Sequence, residues 1–371
     1  MKKKIAILTQ PLGPNYGGII QNYALQKVLK DMGGEPITID REKNNIPLRI
    51  FLSNLKANIY KNILNKNLIT RANRQFIAKN NLQFLAKHIQ RSPKIDSHEQ
   101  LINYFQSQAF DTVIVGSDQT WRPKYSPDIY NFYLDFLEDN ASIKKLAYAS
   151  SFGTADWEYT EEQTQVCQKL AQQFHAISVR EDAAVDLCRE KLGVEAIHLL
   201  DPTLLLTAED YSQLIDRPKT NKGLFTYVLD QSVEKQNFIQ RVADTLELKQ
   251  HTNQAIPFDP LVKRKITDYI IPPLEGWLQG FRDADFVVTD SFHGTVFSII
   301  FNKPFIALVN KARGASRFES ILGKLGLEHR LIYDVNNLDK DLLKDPIDYV
   351  QVHQQLNELK ATSLSFLKQN L

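Results

Sequence analysis

The chain has 371 residues, more than one ordinary hydrophobic core organises, so its length points to two domains. Hydrophobic residues at 43% and charged residues at 24% exclude a disordered chain, and a formal net charge of +2 argues against a general nucleic-acid binder while leaving room for a local basic cleft. Two cysteines, Cys167 and Cys188, without C-x-x-C or Cys/His ligand spacing, argue against a disulfide framework and a zinc site.

The first residues, Met1 to Lys4 followed by Ile5-Ala6-Ile7-Leu8, form too short an apolar stretch for a signal peptide and read as a first strand. No run of about 18 apolar residues occurs, so a spanning helix is not expected and the cytoplasm is the default location. Strand-like runs "KIAILT", "PITI", "DTVIVG", "KLAYASS", "HAISV" and "AIHLLD" alternate with amphipathic segments; "GLFTYVLD", "DYII", "DFVVT" and "PFIAL" follow in the second half. This alternation predicts an α/β fold with parallel sheets covered by helices. Ile20, Ala24, Val28 and Met32 mark the first helix, and Gly33-Gly34 ends it. Residues 48–108 show helical spacing without strand signal and predict an all-helical insertion. Its basic face (Lys56, Lys61, Lys66, Arg71, Arg74, Lys79) is either solvated or set near anionic lipid. The pattern changes after Asp201-Pro202-Thr203, which places a boundary between 202 and 220 and divides the chain into 1–205 and 206–371.

Polar residues gather at predicted strand ends. "TQPLGPNYGG" follows the first strand, and Asn15, Tyr16, Gly17 and Gly18 form a candidate ligand loop; it is neither a Walker loop nor a dinucleotide fingerprint, and an ordinary βα turn accounts for it as well. In "VIVGSDQTW", Asp118 could orient or deprotonate a hydroxyl, Ser117 and Gln119 could bind a sugar, and Trp121 could stack on one, while helix capping is the plain alternative. Arg180 in "AISVRED" is placed to grip a carboxylate or phosphate. In "TDSFHGTVF", Ser291, His293, Gly294 and Thr295 open a helix after a strand, where amides attract anions and a ligand could approach Gly294 closely. The turn is expected to hold His293 at the mouth of a cleft, as proton donor, phosphate ligand or simple cap. Lys311, Arg313 and Arg317 follow the next strand and complete a candidate anion site.

In order, "NYGGIIQNYALQKVLK", "FDTVIVGSDQTWRP", "AYASSFG", "SVREDAAVDLCREKLG", "HLLDPTLLL", "TDSFHGTVFSIIFNKPFIAL" and "RFESILGKLGLEHR" resemble the polysaccharide pyruvyl transferase family across nearly the whole chain. The resemblance implies two Rossmann-like domains facing across a cleft in a glycosyltransferase-B-like arrangement, with the acceptor on the first and the donor on the second. It also implies transfer of a pyruvyl group from phosphoenolpyruvate, a co-substrate, to sugar hydroxyls as a ketal in capsular, exopolysaccharide or cell-wall glycan synthesis. Arg180 and His293 match motif residues expected at the donor, with Asp118 or Asp290 as base and neither cofactor nor metal required. The expected partners are phosphoenolpyruvate and a sugar acceptor, a lipid-linked oligosaccharide among the candidates, met in the cytoplasm or peripherally at the inner membrane surface. Competing readings are a nucleotide-sugar glycosyltransferase of the same frame, for which "GLFTYVLDQS" offers no acidic ribose signature beyond Asp230, and a non-catalytic glycan-binding partner.

Overall fold

The computed structural model describes residues 2–43, 70–138, 140–220, 222–259, 261–262, 264–310 and 314–371. Among these residues the apolar runs pair into two sheets. The first holds β1 (Lys4–Leu8), β2 (Glu35–Thr38), β3 (Thr112–Asp118), β4 (Lys144–Ser150), β5 (Ala176–Val179) and β6 (Ile197–His198) in the order β2-β1-β3-β4-β5-β6. The second holds β7 (Leu224–Tyr227), β8 (Gln250–Thr252), β9 (Phe286–Thr289), β10 (Phe305–Leu308) and β11 (Leu331–Ile332) in the order β11-β10-β9-β7-β8. All strand pairings are parallel. Central strands are apolar throughout because helices cover both faces: β3, β9 and β10 are buried along their whole length.

The first helix, Tyr16–Asp31, starts where Asn15 accepts a hydrogen bond from the Gly17 amide and ends before Gly33 at φ +87°. Two sequence expectations change, and two strands appear that the sequence does not announce. "DYII" is not a strand: Ile266–Tyr269 is a 3-10 turn, closed by reciprocal bonds between Lys265 and Asp268, and the Pro272-Pro273 pair that follows cannot continue a ladder. The edge strands β8 and β11, three and two residues long, carry too little apolar pattern to announce themselves. Of 48–108, residues 48–69 lie outside the described residues, with Lys56, Lys61 and Lys66 among them, as does the side chain of Arg71. Helices Arg71–Ile77, Lys79–His88 and His98–Ser107 follow, but 89–97 is extended and bridges Thr38 and Arg41 through Arg91 and Ile95. Arg74 and Lys79 are exposed.

A continuous apolar core joins the two sheets. Ile5, Ile7 and Leu146 of the first connect to Phe225 and Val287 of the second through Ile19, Ile20 and Leu25 of the first helix and Leu199 to Leu206. Trp277, Phe281 and Phe297 interlock edge to face beneath β7, and Tyr16 reaches across to lay its ring on Trp277, 5.5 Å between centroids, while its hydroxyl donates to the Pro272 carbonyl. The last helix, Tyr349–Asn370, returns from the second half to the first: Phe366 packs on Tyr148, and Ser363 Oγ accepts from the Leu200 amide at 3.2 Å. No described helix is long and apolar enough to cross a membrane.

Candidate active site

The carboxyl ends of parallel strands are where backbone turns outward, and here the ends of both sheets meet. After β1 comes the loop to Gly17 and Gly18, at the last position of β3 Asp118, after β5 Arg180, after β6 Asp201, and after β9 His293. The Gly116-Ser117 peptide is cis, and Asp118 sits at φ +79°.

Asp201 is the hub. Its Oδ1 accepts from the amide and hydroxyl of Thr203 at 3.0 and 2.6 Å, while Oδ2 accepts from Arg180 Nη1 at 2.7 Å and faces His293 Nε2 at 3.5 Å. Burial alone would push this carboxyl up, but the His293 ring and the Arg180 guanidinium outweigh it and hold Asp201 well below the usual carboxylate range. Burial likewise works against the charge on Arg180, and Asp201, Asp118 and Glu181 more than restore it. Arg180 Nη2 also reaches Asp118 Oδ1 at 3.5 Å, and its Nε has no hydrogen-bond partner among the described residues. The result is a chain of polar side chains, Asp118 to Arg180 to Asp201 to His293, that crosses from one sheet to the other with every member at most 7% exposed.

Gly17 permits this closeness. A Cβ built there would stand 2.1 Å from His293 Nδ1, so the ring packs directly against the first helix's opening turn. Gly18 faces Asp118, whose Oδ2 would lie 3.4 Å from a built Cβ. On the other side, Phe292 is held between two guanidiniums, Arg180 at 4.8 Å and Arg317 at 5.8 Å from the ring centroid. His293 is therefore 6% exposed and packed in the seam, which corrects the expectation of a ring at an open mouth.

Several other expectations change with the geometry. Trp121 cannot stack on a sugar: it is fully buried, stacks on Tyr133 at 4.9 Å and donates to the Phe132 carbonyl. Asp290 cannot act as base, because its oxygens receive the Leu229 and Asp230 amides, Lys235 Nζ and Asn310 Nδ2 at 2.6 to 3.1 Å. Ser117 is buried and donates to the Ala149 carbonyl, and Tyr16 is committed to Trp277 and Pro272. Gln119 accepts from Arg122 and packs on Gly153. Gly294 does not open space for a ligand; a Cβ there would meet Thr289 Oγ1 at 2.1 Å. Its amide is taken by Ser291 Oγ and that of Thr295 by the Ser291 carbonyl, so Phe292 and His293 supply the helix-start amides that remain. Asn15 is exposed with its side-chain oxygen on Gly17 N. Lys311 and Arg313 lie outside the described residues.

Asp201 and Glu181 are residues of the candidate site that sequence reasoning missed. Glu181 Oε1 receives Ser151 Oγ and the amides of Phe152 and Gly153, fixing the loop after β4. The signal for Asp201 was present in "LLDPT", a polar residue at a strand end before a proline, read there as a boundary. Among the described residues no group of three or more His, Cys, Asp or Glu side chains is arranged to hold a metal ion.

Two parallel α/β sheets meeting at their carboxyl ends, with a last helix that crosses back, define a glycosyltransferase-B-type fold. The UDP co-structure of S. aureus MnaA shares this fold, with a TM-score of 0.51 and 14% identity over 96% of this chain and 91% of that one. The Arabidopsis thaliana UGT89C1 complex with UDP-L-rhamnose aligns at TM-score 0.49 and 11% identity, covering 98% of this chain and 100% of that one. Methanocaldococcus jannaschii UDP-GlcNAc 2-epimerase aligns at 0.47 and 11%, covering 96% and 93%. No curated protein matches the chain in sequence. The family model for polysaccharide pyruvyl transferase matches residues 15–312, and the chain belongs to that family.

Proposed function

We propose that the protein transfers the pyruvyl group of phosphoenolpyruvate to two hydroxyls of a sugar acceptor, forming a cyclic pyruvate ketal and inorganic phosphate. The observation that carries this reading is the chain of side chains joining Asp118 to His293 across the two sheets, because ketal formation needs an acid at the methylene carbon and a base at the hydroxyl that attacks the adjacent central carbon. His293, beside Asp201, delivers a proton to the methylene carbon, which becomes the methyl group. Asp118 takes the proton of the attacking hydroxyl. Attack at the central carbon, loss of phosphate and closure by the second hydroxyl complete the step. Of the two hydroxyl protons, one balances the proton gained by carbon and the other leaves with phosphate.

Arg180, whose Nε has no hydrogen-bond partner among the described residues, suits the donor carboxylate, and Arg317 with the Phe292 and His293 amides suits the phosphate. We place the reaction in the cytoplasm, within glycan assembly on a capsule, exopolysaccharide or cell wall, with a lipid-linked oligosaccharide as acceptor and peripheral contact at the inner membrane surface. The test incubates the protein with phosphoenolpyruvate and an acceptor panel, reading phosphate release and the acceptor mass gain of one pyruvic acid less water. Acceptor-dependent release of phosphate with that mass gain is expected. Release of nucleotide from UDP-sugars in its place would overturn the reading.

A further inference from the structure

A cavity of about 430 Å³ opens at the carboxyl edge of the first sheet, within the range of about 300 to 1,000 Å³ typical of small-ligand pockets. Arg41, just past β2, lines it together with Asp96 and His98 from the start of the helix His98–Ser107, and Ser126, Asp128 and Tyr130 from the loop after β3. Arg41 is 4% exposed, an unusual depth for a guanidinium. Its Nε donates to Asn131 Oδ1 at 2.9 Å and one terminal nitrogen to the Glu42 carbonyl, yet it forms no ion pair among the described residues. Asp96 and Asp128 stand on the same cavity walls without bonding it, Asp128 Oδ1 taking only the Tyr130 amide at 3.2 Å.

A buried cation and two carboxylates held apart around an open volume leave donors and acceptors facing inward. Each needs a partner that both gives and takes hydrogen bonds. Hydroxyl groups do this, and a ring carrying several of them fits the half-buried Tyr130 side chain as an apolar wall. An anionic group would meet Asp96 and Asp128, and a cationic one would meet Arg41.

The cavity wall runs on to the candidate active site. Ser126 Oγ donates to the Thr120 carbonyl at 2.7 Å and accepts from Gln10 Nε2 at 3.0 Å. The same Gln10 amide group donates to the Gln119 carbonyl at 2.7 Å, and Gln119 follows Asp118. We infer that this cavity is a subsite for an uncharged sugar residue of the acceptor, one that docks beside the ring to be modified. The inference deepens the transferase reading and rests on it for the reaction carried out next door, but the binding of an uncharged glycoside can be measured without turnover.

Saturation-transfer NMR with the wild-type protein, using methyl glycosides of neutral hexoses and of glucuronic acid, tests the cavity alone. Neutral glycosides should bind, the glucuronide at least tenfold more weakly, and Asp96→Asn and Tyr130→Ala should each lose the signal while melting like wild type. Binding of no glycoside, equal binding of the glucuronide, or signal retained in both variants would overturn the subsite. In the coupled assay both variants should raise the acceptor KM at least tenfold and leave that for phosphoenolpyruvate unchanged. Turnover with an unchanged acceptor KM overturns the subsite and spares the transferase reading. Glycoside binding that depends on Asp96 and Tyr130, without any phosphate release, supports the subsite and overturns that reading.

Discussion

Asp118 sits at φ +79°, where a side chain other than glycine costs about 1 to 3 kcal/mol, and it does so with a carboxylate turned toward Gly18 and Arg180. Asn tolerates that backbone region and keeps an oxygen for the Gln119 amide, so Asp118→Asn should melt within about 1 kcal/mol of wild type. As a base it fails, and kcat/KM should fall by about 10²- to 10⁴-fold; unchanged turnover would remove Asp118 from the chemistry. His293→Gln tests the acid on the same scale. It should lower phosphate release by a similar factor and also cost about 1 to 3 kcal/mol, because Asp201 loses a partner inside the seam. Gly17→Ala makes the complementary point. Its methyl cannot coexist with the His293 ring where that ring now lies, so activity should collapse although no charged group has been removed. Normal turnover in that variant would mean the ring is free to work elsewhere. Asp201 shows what local pattern could not carry: its partners Arg180 and His293 lie 21 and 92 positions away by their numbering, and only the folded sheets bring them together. Asp290 misled for the same reason, since Lys235 and Asn310, which saturate it, are equally distant in kind.

The strand-turn-helix units were readable in the sequence because their apolar runs and glycines are local, and β1, β3, β4, β5, β9 and β10 lie where those runs predict. The short edge strands and the extended 89–97 segment were not readable, because their backbone partners, not their own side chains, define them. At this scale the seam between β6 and the helix Ser316–Lys324 makes its own prediction. Asp182 is bonded by Ser320 Oγ at 2.6 Å and Lys324 Nζ at 2.9 Å from the second half, and His198 packs beside them with Nε2 2.9 Å from the Arg180 carbonyl oxygen. Burial pushes His198 down to about 4 from its ordinary 6.5, ahead of the opposing pull of Asp182. A depressed histidine binds fewer protons folded than unfolded between those two values. Its contribution is complete above pH 6.5 and is lost as pH falls toward 4, up to about 3 kcal/mol. The melting temperature should therefore decline across that window, and His198→Gln should flatten the decline. A variant that tracks wild type throughout would assign the acid sensitivity elsewhere.

At the scale of the whole molecule, the chain passes between the two halves twice, once after Asp201 and once into the helix Tyr349–Asn370. The two passages lie side by side, since Leu200 and Ser363 are hydrogen-bonded. Removing the last helix would expose Leu356, Phe366 and Leu367, which are now at most 8% exposed, and the truncated chain should fail to accumulate as soluble protein. If it folded and bound donor normally, the helix would be a dispensable brace. Two adjacent strands of covalent chain act like the pins of a hinge. A swing of one half against the other moves atoms near the pins least and atoms at the far rim most. Asp201 follows directly on Leu200 at the first pin, and Gly314, whose built Cβ would stand 2.6 Å from the Gly153 carbonyl, is a point where the two halves touch elsewhere. Opening to admit a bulky glycan would thus have to part Gly153 from Gly314, whereas Asp201 stays close to the pin it follows.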